Sequence, residues 1–253
     1  MRAIATIAGK ELRGLFYSPS AWVVLGVIEF ILGYLFLIQL DYYLQNQSRI
    51  AAIPDAPGVT QIVVTGLLGS AGVILMMVVP VLTMRSFSEE RRAQTLTLLI
   101  SAPVTQIEIV LGKYLGVVLF LALVLGLLLL MPLSLLLGGQ LDPGLLAANI
   151  LGMLLLLASF AALGIYVSAV TDQPVIAAVG TFGALLILWL IDWAGETGGD
   201  GARGVLGHLS TLRHYENLLQ GLVDTQDLAY FGLFVVLFLA LTVRRLDARR
   251  LAA

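Results

Sequence analysis

The fold class that this sequence predicts is all-α: a polytopic membrane protein with six transmembrane helices. Three observations predict it. Of the 253 residues, 59% are hydrophobic and only 12% are charged, with a mean hydropathy of +0.99. A soluble domain carries roughly 25% charged residues, so this chain cannot cover a globular surface with polar groups. A hydrocarbon core about 30 Å thick needs about 20 apolar residues in a helix, and runs of that kind occur near 20–40, 61–84, 106–137, 144–170, 174–192 and 228–244. These runs are continuous and leucine-rich, without the alternation of a barrel wall.

The same composition narrows the function classes. A net charge of −2 without a basic stripe gives no reason to expect a nucleic-acid partner. The absence of cysteine rules out disulfides and thiolate metal sites, and two histidines, His208 and His214, give little reason to expect a catalytic metal cluster. No cofactor site is expected.

Residues 3–16, "AIATIAGKELRGLF", place Ile4, Ile7, Ala8, Leu12, Leu15 and Phe16 on one helical face and Thr6, Lys10 and Arg13 on the other. This pattern suits an amphipathic helix over 3–17 lying in the membrane interface; a simple positive anchor for topology fits it as well. "YSPS" ends it. The first span is expected to be retained, because its apolar run exceeds a signal-peptide core and no small-x-small site follows. Glu29 stands inside it. An ionisable group within a span is a functional hypothesis by default; the alternative is a carboxyl hydrogen-bonded to a neighbouring helix.

Between the second and third spans lies "RSFSEERRAQTLTLLISAP", with five of the thirty charged side chains in its first eight positions. Ser86 and Glu89 stand in capping-box spacing, Glu89 and Glu90 suit a first helical turn, and Leu96, Leu99 and Ile100 recur at helical spacing before Pro103. A helix over 86–101 is expected. A solvated loop would explain the charges, but Leu96, Leu98, Leu99 and Ile100 call for a cover, either lipid headgroups or a protein partner, and a partner is the preferred reading. Thr105 and Glu108 form a second capping box that opens the third span. That run is longer than a span needs, so its first turns are expected at the surface and Pro132 is expected to kink its far end. Gly112 and Gly116 permit close helix approach. "TDQP" divides the fourth and fifth spans as a tight turn.

Six spans put both termini on one side. With them fall Arg2, Lys10, Arg13, Arg85, Arg91, Arg92, Lys113, Arg244, Arg245, Arg249 and Arg250; across the membrane fall Arg49, Arg203 and Arg213. The asymmetry places the termini and the 85–105 segment in the cytoplasm, hence a bacterial inner-membrane location.

The stretch "MRSFSEERRAQTLTLLISAPVTQIEIVLGKYLG" resembles the signature loop of the membrane subunits of ABC-type exporters of the six-span class. "KELRGLFYSPSAWVV" is similar to the amphipathic connecting helix and first span of that family, and "HYENLLQGLVDTQDLAYFGLF" to its gliding-motility permease branch. The three patches cover about 70 residues in family order. The chain carries Gln94, Thr95 and Thr97 where the family often has Gly-Thr followed by Glu.

The resemblance implies that 86–101 is a coupling helix seated in a cleft of a separate ATPase subunit. Glu89, Glu90, Arg91 and Arg92 would set its register by charge, Leu96, Leu98, Leu99 and Ile100 would provide packing, and Ser86 and Pro103 would bound it. Lys10, Glu11 and Arg13 would lie on the connecting helix beside it. It also implies short re-entrant helices within the outer segment 193–227, where His214, Tyr215, Glu216, Asn217, Asp224 and Asp227 match the branch pattern. Structural roles are expected there ahead of substrate contact: Asn217 and Asp224 as turn caps, Asp227 as the start of the last span.

The implied function is that of a permease subunit working with two ATPase copies, a second permease copy forming a homodimer, and in this branch an auxiliary membrane protein with a large outer domain. ATP and Mg would be bound by the ATPase. "AGKE" at 8–11 and "LGKY" at 111–114 lack the upstream glycine, the hydroxyl and the preceding strand of a phosphate-binding loop, so the chain is not expected to be an enzyme. A membrane anchor or scaffold of an envelope complex would need no coupling helix. A secondary transporter would need paired intramembrane charges or repeated halves with broken helices.

Overall fold

The computed structural model describes residues 2–50, 52, 56–94, 104–137, 140–197 and 208–250. Six helices in it are long and apolar enough to cross a membrane, and no strand occurs among the described residues. In chain order the helices are α1 (Arg2–Tyr17), α2 (Pro19–Ile50), α3 (Thr65–Thr83), α4 (Arg85–Arg92), α5 (Gln106–Ser134), α6 (Pro143–Val170), α7 (Pro174–Thr197), α8 (Thr211–Leu219) and α9 (Thr225–Arg250). The spans are α2, α3, α5, α6, α7 and α9.

Helix α6 is the centre of the bundle, touching α3, α4, α5, α7, α8 and α9. Its sequence explains its straight start: Asp142 accepts from the Gly144 and Leu145 amides at 2.8 and 3.2 Å, and Pro143 follows in the first turn, where no amide hydrogen is needed. Small residues (Gly152, Ser159, Ala161, Ala162, Gly164) are buried along it, which lets neighbours approach closely. By contrast α2, α7 and α9 bury only narrow stripes. On α2, Ile28, Leu32 and Phe36 face inward while Val27, Phe30, Ile31 and Tyr34 are exposed. In a bilayer those faces meet lipid or protein without cost.

Several element boundaries differ from expectation for local reasons. Helix α2 has 32 residues, about 48 Å at 1.5 Å per residue, so it outruns a hydrocarbon core. Its last turns are polar and self-bonded, with Gln45 donating to Asp41 at 2.7 Å and Asn46 to the Tyr42 carbonyl at 2.8 Å. The second span opens with a π-helical turn at Thr60–Val64, where the Thr60 hydroxyl accepts from the Asp142 amide at 2.9 Å. The first turns of α5 are covered by another helix. Gln106, Ile109, Val110, Gly112 and Lys113 are buried, because α1 lies against them. Pro132 falls near the end of α5, and a 3-10 turn at Leu135–Leu137 follows it.

The expected helix over 86–101 is the largest departure. Helix α4 begins one residue after α3 ends, and Met84 between them is itself helical, its amide donating to the Pro80 carbonyl at 2.9 Å. No amide is orphaned there, so no cap is required. The Ser86–Glu89 capping box does not form; Ser86 is buried within the helix instead. The helix stops at Arg92, and Gln94 adopts a left-handed conformation with φ 55°. Residues 95–103, including Leu96, Leu98, Leu99, Ile100 and Pro103, lie outside the described residues, as do 198–207 of the outer segment. The Thr105–Glu108 box does form, with the Thr105 hydroxyl accepting from the Glu108 amide at 3.3 Å and the Glu108 carboxylate accepting from the Thr105 amide at 3.0 Å.

Candidate functional site

Polar chemistry gathers at the two ends of the bundle. At the end that carries the termini, the centre is Lys113 on α5, which is 3% exposed. Its ammonium donates to the Ser86 carbonyl at 2.6 Å and to the carboxylates of Glu90 at 2.8 Å and Glu11 at 3.3 Å. It also lies 5.1 Å from the centroid of the Phe87 ring. Three donors thus meet three oxygens from α1 and α4, so a buried cation is fully satisfied. Position follows from two glycines on the same helix, Gly112 immediately before Lys113 and Gly116 three residues after it. A Cβ at Gly112 would stand 2.6 Å from Ile7 Cβ, and one at Gly116 would stand 2.7 Å from Glu11 Cβ and 3.0 Å from the Ala8 carbonyl. Only glycine lets α1 lie this close along α5. The interfacial helix anticipated at 3–17 is therefore a bundle element: Ile7 and Ala8 turn inward, Glu11 reaches Lys113, and Lys10 and Arg13 stay exposed.

Helix α4 is fastened on its other side to α6. The Ser168 hydroxyl accepts from the amides of Phe87 and Ser88 at 3.0 and 3.2 Å and donates to the Met84 carbonyl at 2.9 Å. Ser88 itself donates back to Met84. Arg91 donates to the Thr171 carbonyl at 3.1 Å and pairs with Asp172 at 3.1 Å, in the turn between α6 and α7. Two of its guanidinium nitrogens, Nε and Nη2, are enclosed without a hydrogen-bond partner. Phe87 is fully buried between these attachments. The outer face of α4 is left with Arg85, Glu89 and Arg92, all exposed, followed by exposed Ala93 and Gln94.

At the opposite end, α8 lies against α3, α6, α7 and α9. Ser210 caps it, accepting from the Arg213 amide at 3.2 Å. Tyr215 is 1% exposed and donates to the Leu68 carbonyl at 2.8 Å, with Met153 Sδ at 3.2 Å. Burial pushes its phenol above the ordinary range, so it remains a donor. His214 places Nδ1 2.5 Å from Asp227 and Nε2 3.1 Å from the His208 carbonyl. Asn217 donates to both Asp227 oxygens at 3.3 Å, and Tyr230 stacks on His214 at 4.1 Å. Asp227 does open the last span, in the first turn of α9, and Asp224 caps it by accepting from the Gln226 amide at 3.3 Å. Asn217 binds the Asp227 carboxylate with its side chain in place of the turn cap expected of it. Glu216 is exposed beside a cavity lined by Val73, Trp189 and Leu212.

Glu29 is half-buried on α2, and its Oε1 is enclosed with no hydrogen-bond partner among the described residues. Lys113, Ser168, Asp172 and Tyr230 were not anticipated as site residues. A signal existed for Lys113, a lone cation in an apolar run, by the same rule that singled out Glu29. "AGKE" and "LGKY" both lie inside helices, α1 and α5, where a backbone phosphate cradle cannot form.

The family model described as ABC-2 family transporter protein matches residues 5–251. No curated protein matches the chain.

Proposed function

The chain belongs to the ABC-2 transporter family, and from that premise we propose that it is the permease subunit of an ATP-driven exporter whose nucleotide chemistry is done by a separate ATPase. The observation that carries this reading is the attachment of α4. Coupling needs a stiff element that moves with the spans and offers a free face to a partner. Helix α4 continues from α3 without a break, is bound to α6 through Ser168, to the α6–α7 turn through Arg91, and to α1 and α5 through Lys113. A push on its outer face reaches five helices.

In this reading Glu89, Arg92 and the segment beyond Gln94 meet the ATPase, which binds ATP and Mg, while Glu90 and Arg91 hold α4 to its own chain. Two ATPase copies act on two copies of this permease, each contributing the six candidate spans found among the described residues. The eleven-to-three distribution of Lys and Arg favours a bacterial inner membrane with both termini cytoplasmic. The HYENLLQ stretch favours the gliding-motility branch, and with it an auxiliary protein bearing an outer domain.

The test is co-purification with the ATPase after charge reversal on the outer face alone. Glu89→Lys with Arg92→Glu is expected to lose the ATPase while the chain stays folded, because neither side chain is among the attachments of α4. Full retention together with undiminished transport would rule out α4 as the docking element.

A further inference from the structure

Beside the Lys113 cluster is a cavity of about 360 Å³, within the size range of small-ligand sites. Its walls come from α1, α2, α3, α4 and α5. One part is apolar (Leu15, Val24 and Val81), and Val81 is 43% exposed, so the cavity is continuous with the lipid-facing side of α3. The other part is charged, with Lys10, Arg85 and Glu89. Those three form no ion pair among the described residues, unlike Lys113, Glu11 and Glu90 deeper in the same wall. Ser86 also lines the cavity, is 3% exposed, and has a hydroxyl without a hydrogen-bond partner. A buried hydroxyl left unpaired is costly unless something completes it.

We propose that this cavity binds the headgroup of a zwitterionic phospholipid with a primary ammonium, the phosphodiester held by Lys10 and Arg85 and the ammonium by Glu89. The division between apolar and charged walls matches a lipid's glycerol and headgroup at the membrane surface. The charge balance selects the class. Three basic and three acidic side chains line the cavity, so a strongly anionic ligand meets no net attraction, whereas separated opposite charges suit a zwitterion. A phosphate oxygen or the ammonium can also complete Ser86. The inference shares Glu89 with the ATPase reading but does not rest on it: the ligand comes from the membrane, and the site is tested in the isolated chain, where no ATPase covers that side chain.

Native mass spectrometry of the full chain released from detergent tests it. The probes are phosphatidylethanolamine, phosphatidylcholine and phosphatidylglycerol of identical acyl chains, with soluble glycerophosphoethanolamine as competitor. Phosphatidylethanolamine is expected to be retained about tenfold better than the other two, the discrimination of one charge-assisted hydrogen bond. Lys10→Gln with Arg85→Gln should abolish that retention, and Glu89→Gln should abolish the preference over phosphatidylcholine and phosphatidylglycerol. Gly14 lines the cavity and a Cβ there meets nothing within 4 Å. Gly14→Leu should therefore fill the cavity and block the lipid without lowering the melting temperature. Equal retention of the three lipids, or unchanged retention in Gly14→Leu, would overturn the proposal. Displacement of the lipid by glycerophosphoethanolamine at equal concentration would overturn it too, by showing that a soluble diester is the ligand.

Discussion

At the scale of the residue, the account turns on Lys113. Two carboxylates and a carbonyl surround one cation that is 3% exposed. Removing the cation leaves Glu11 and Glu90 facing each other in a poorly solvated site, and breaking such a cluster typically costs about 3 kcal/mol or more. Lys113→Met is expected to lower stability by that amount, read from a thermal melt of the detergent-purified chain, whereas Lys113→Met with Glu11→Leu and Glu90→Leu should recover most of it. Recovery of stability without recovery of ATPase-driven transport would separate the cluster's two roles. Gln94 gives a second expectation. A side chain at φ 55° costs roughly 1 kcal/mol relative to glycine, so Gln94→Gly should stabilise the end of α4 slightly, and Gln94→Val should destabilise it. At the far end, Tyr215→Phe removes a buried bond to the Leu68 carbonyl and is expected to cost about 1–2 kcal/mol. None of these partners was legible in sequence, because Lys113 and Glu11 are 102 residues apart and nothing local announces their meeting.

At the scale of the element, what the sequence disclosed depended on whether the signal was local. The Thr105–Glu108 box formed because Thr105 sits at a true helix start, with extended backbone before the first turn. Ser86–Glu89 has the same spacing and does not form, because α3 runs into α4 and leaves no free amides to cap. A spacing rule cannot tell a helix start from a helix interior when the preceding span is already helical. The amphipathic pattern of 3–17 was legible, but its partner was not: α1 lies along α5 over Gly112 and Gly116 rather than against lipid headgroups alone. Gly116→Leu is expected to force α1 off α5, at about 1–3 kcal/mol for overpacking. Site-directed spin labels on α1 and α5 would report the added separation, and an unchanged distance would mean that α1 is held by something other than this groove.

At the scale of the whole molecule, six continuous apolar runs gave six helices because length and hydropathy decide membrane spans almost alone. The arrangement of those helices was not legible. Helix α7 is nearly as apolar as α6, yet it lies at the side of the bundle while α6 lies at its centre, and the ordering comes from the small residues that let α6 accept several neighbours. The molecule that results is a bundle with one charged, firmly attached helix at the end of its termini. The proposed function puts this helix in the compartment of the ATPase and beneath it. Because the sequence has no cysteine, a single Ala93→Cys variant can report on that position without background. In membrane vesicles of known orientation, a membrane-impermeant maleimide is expected to label Cys at 93 from the cytoplasmic face only, and bound ATPase should protect it. Labelling from the outer face, or labelling that the ATPase does not diminish, would contradict the account.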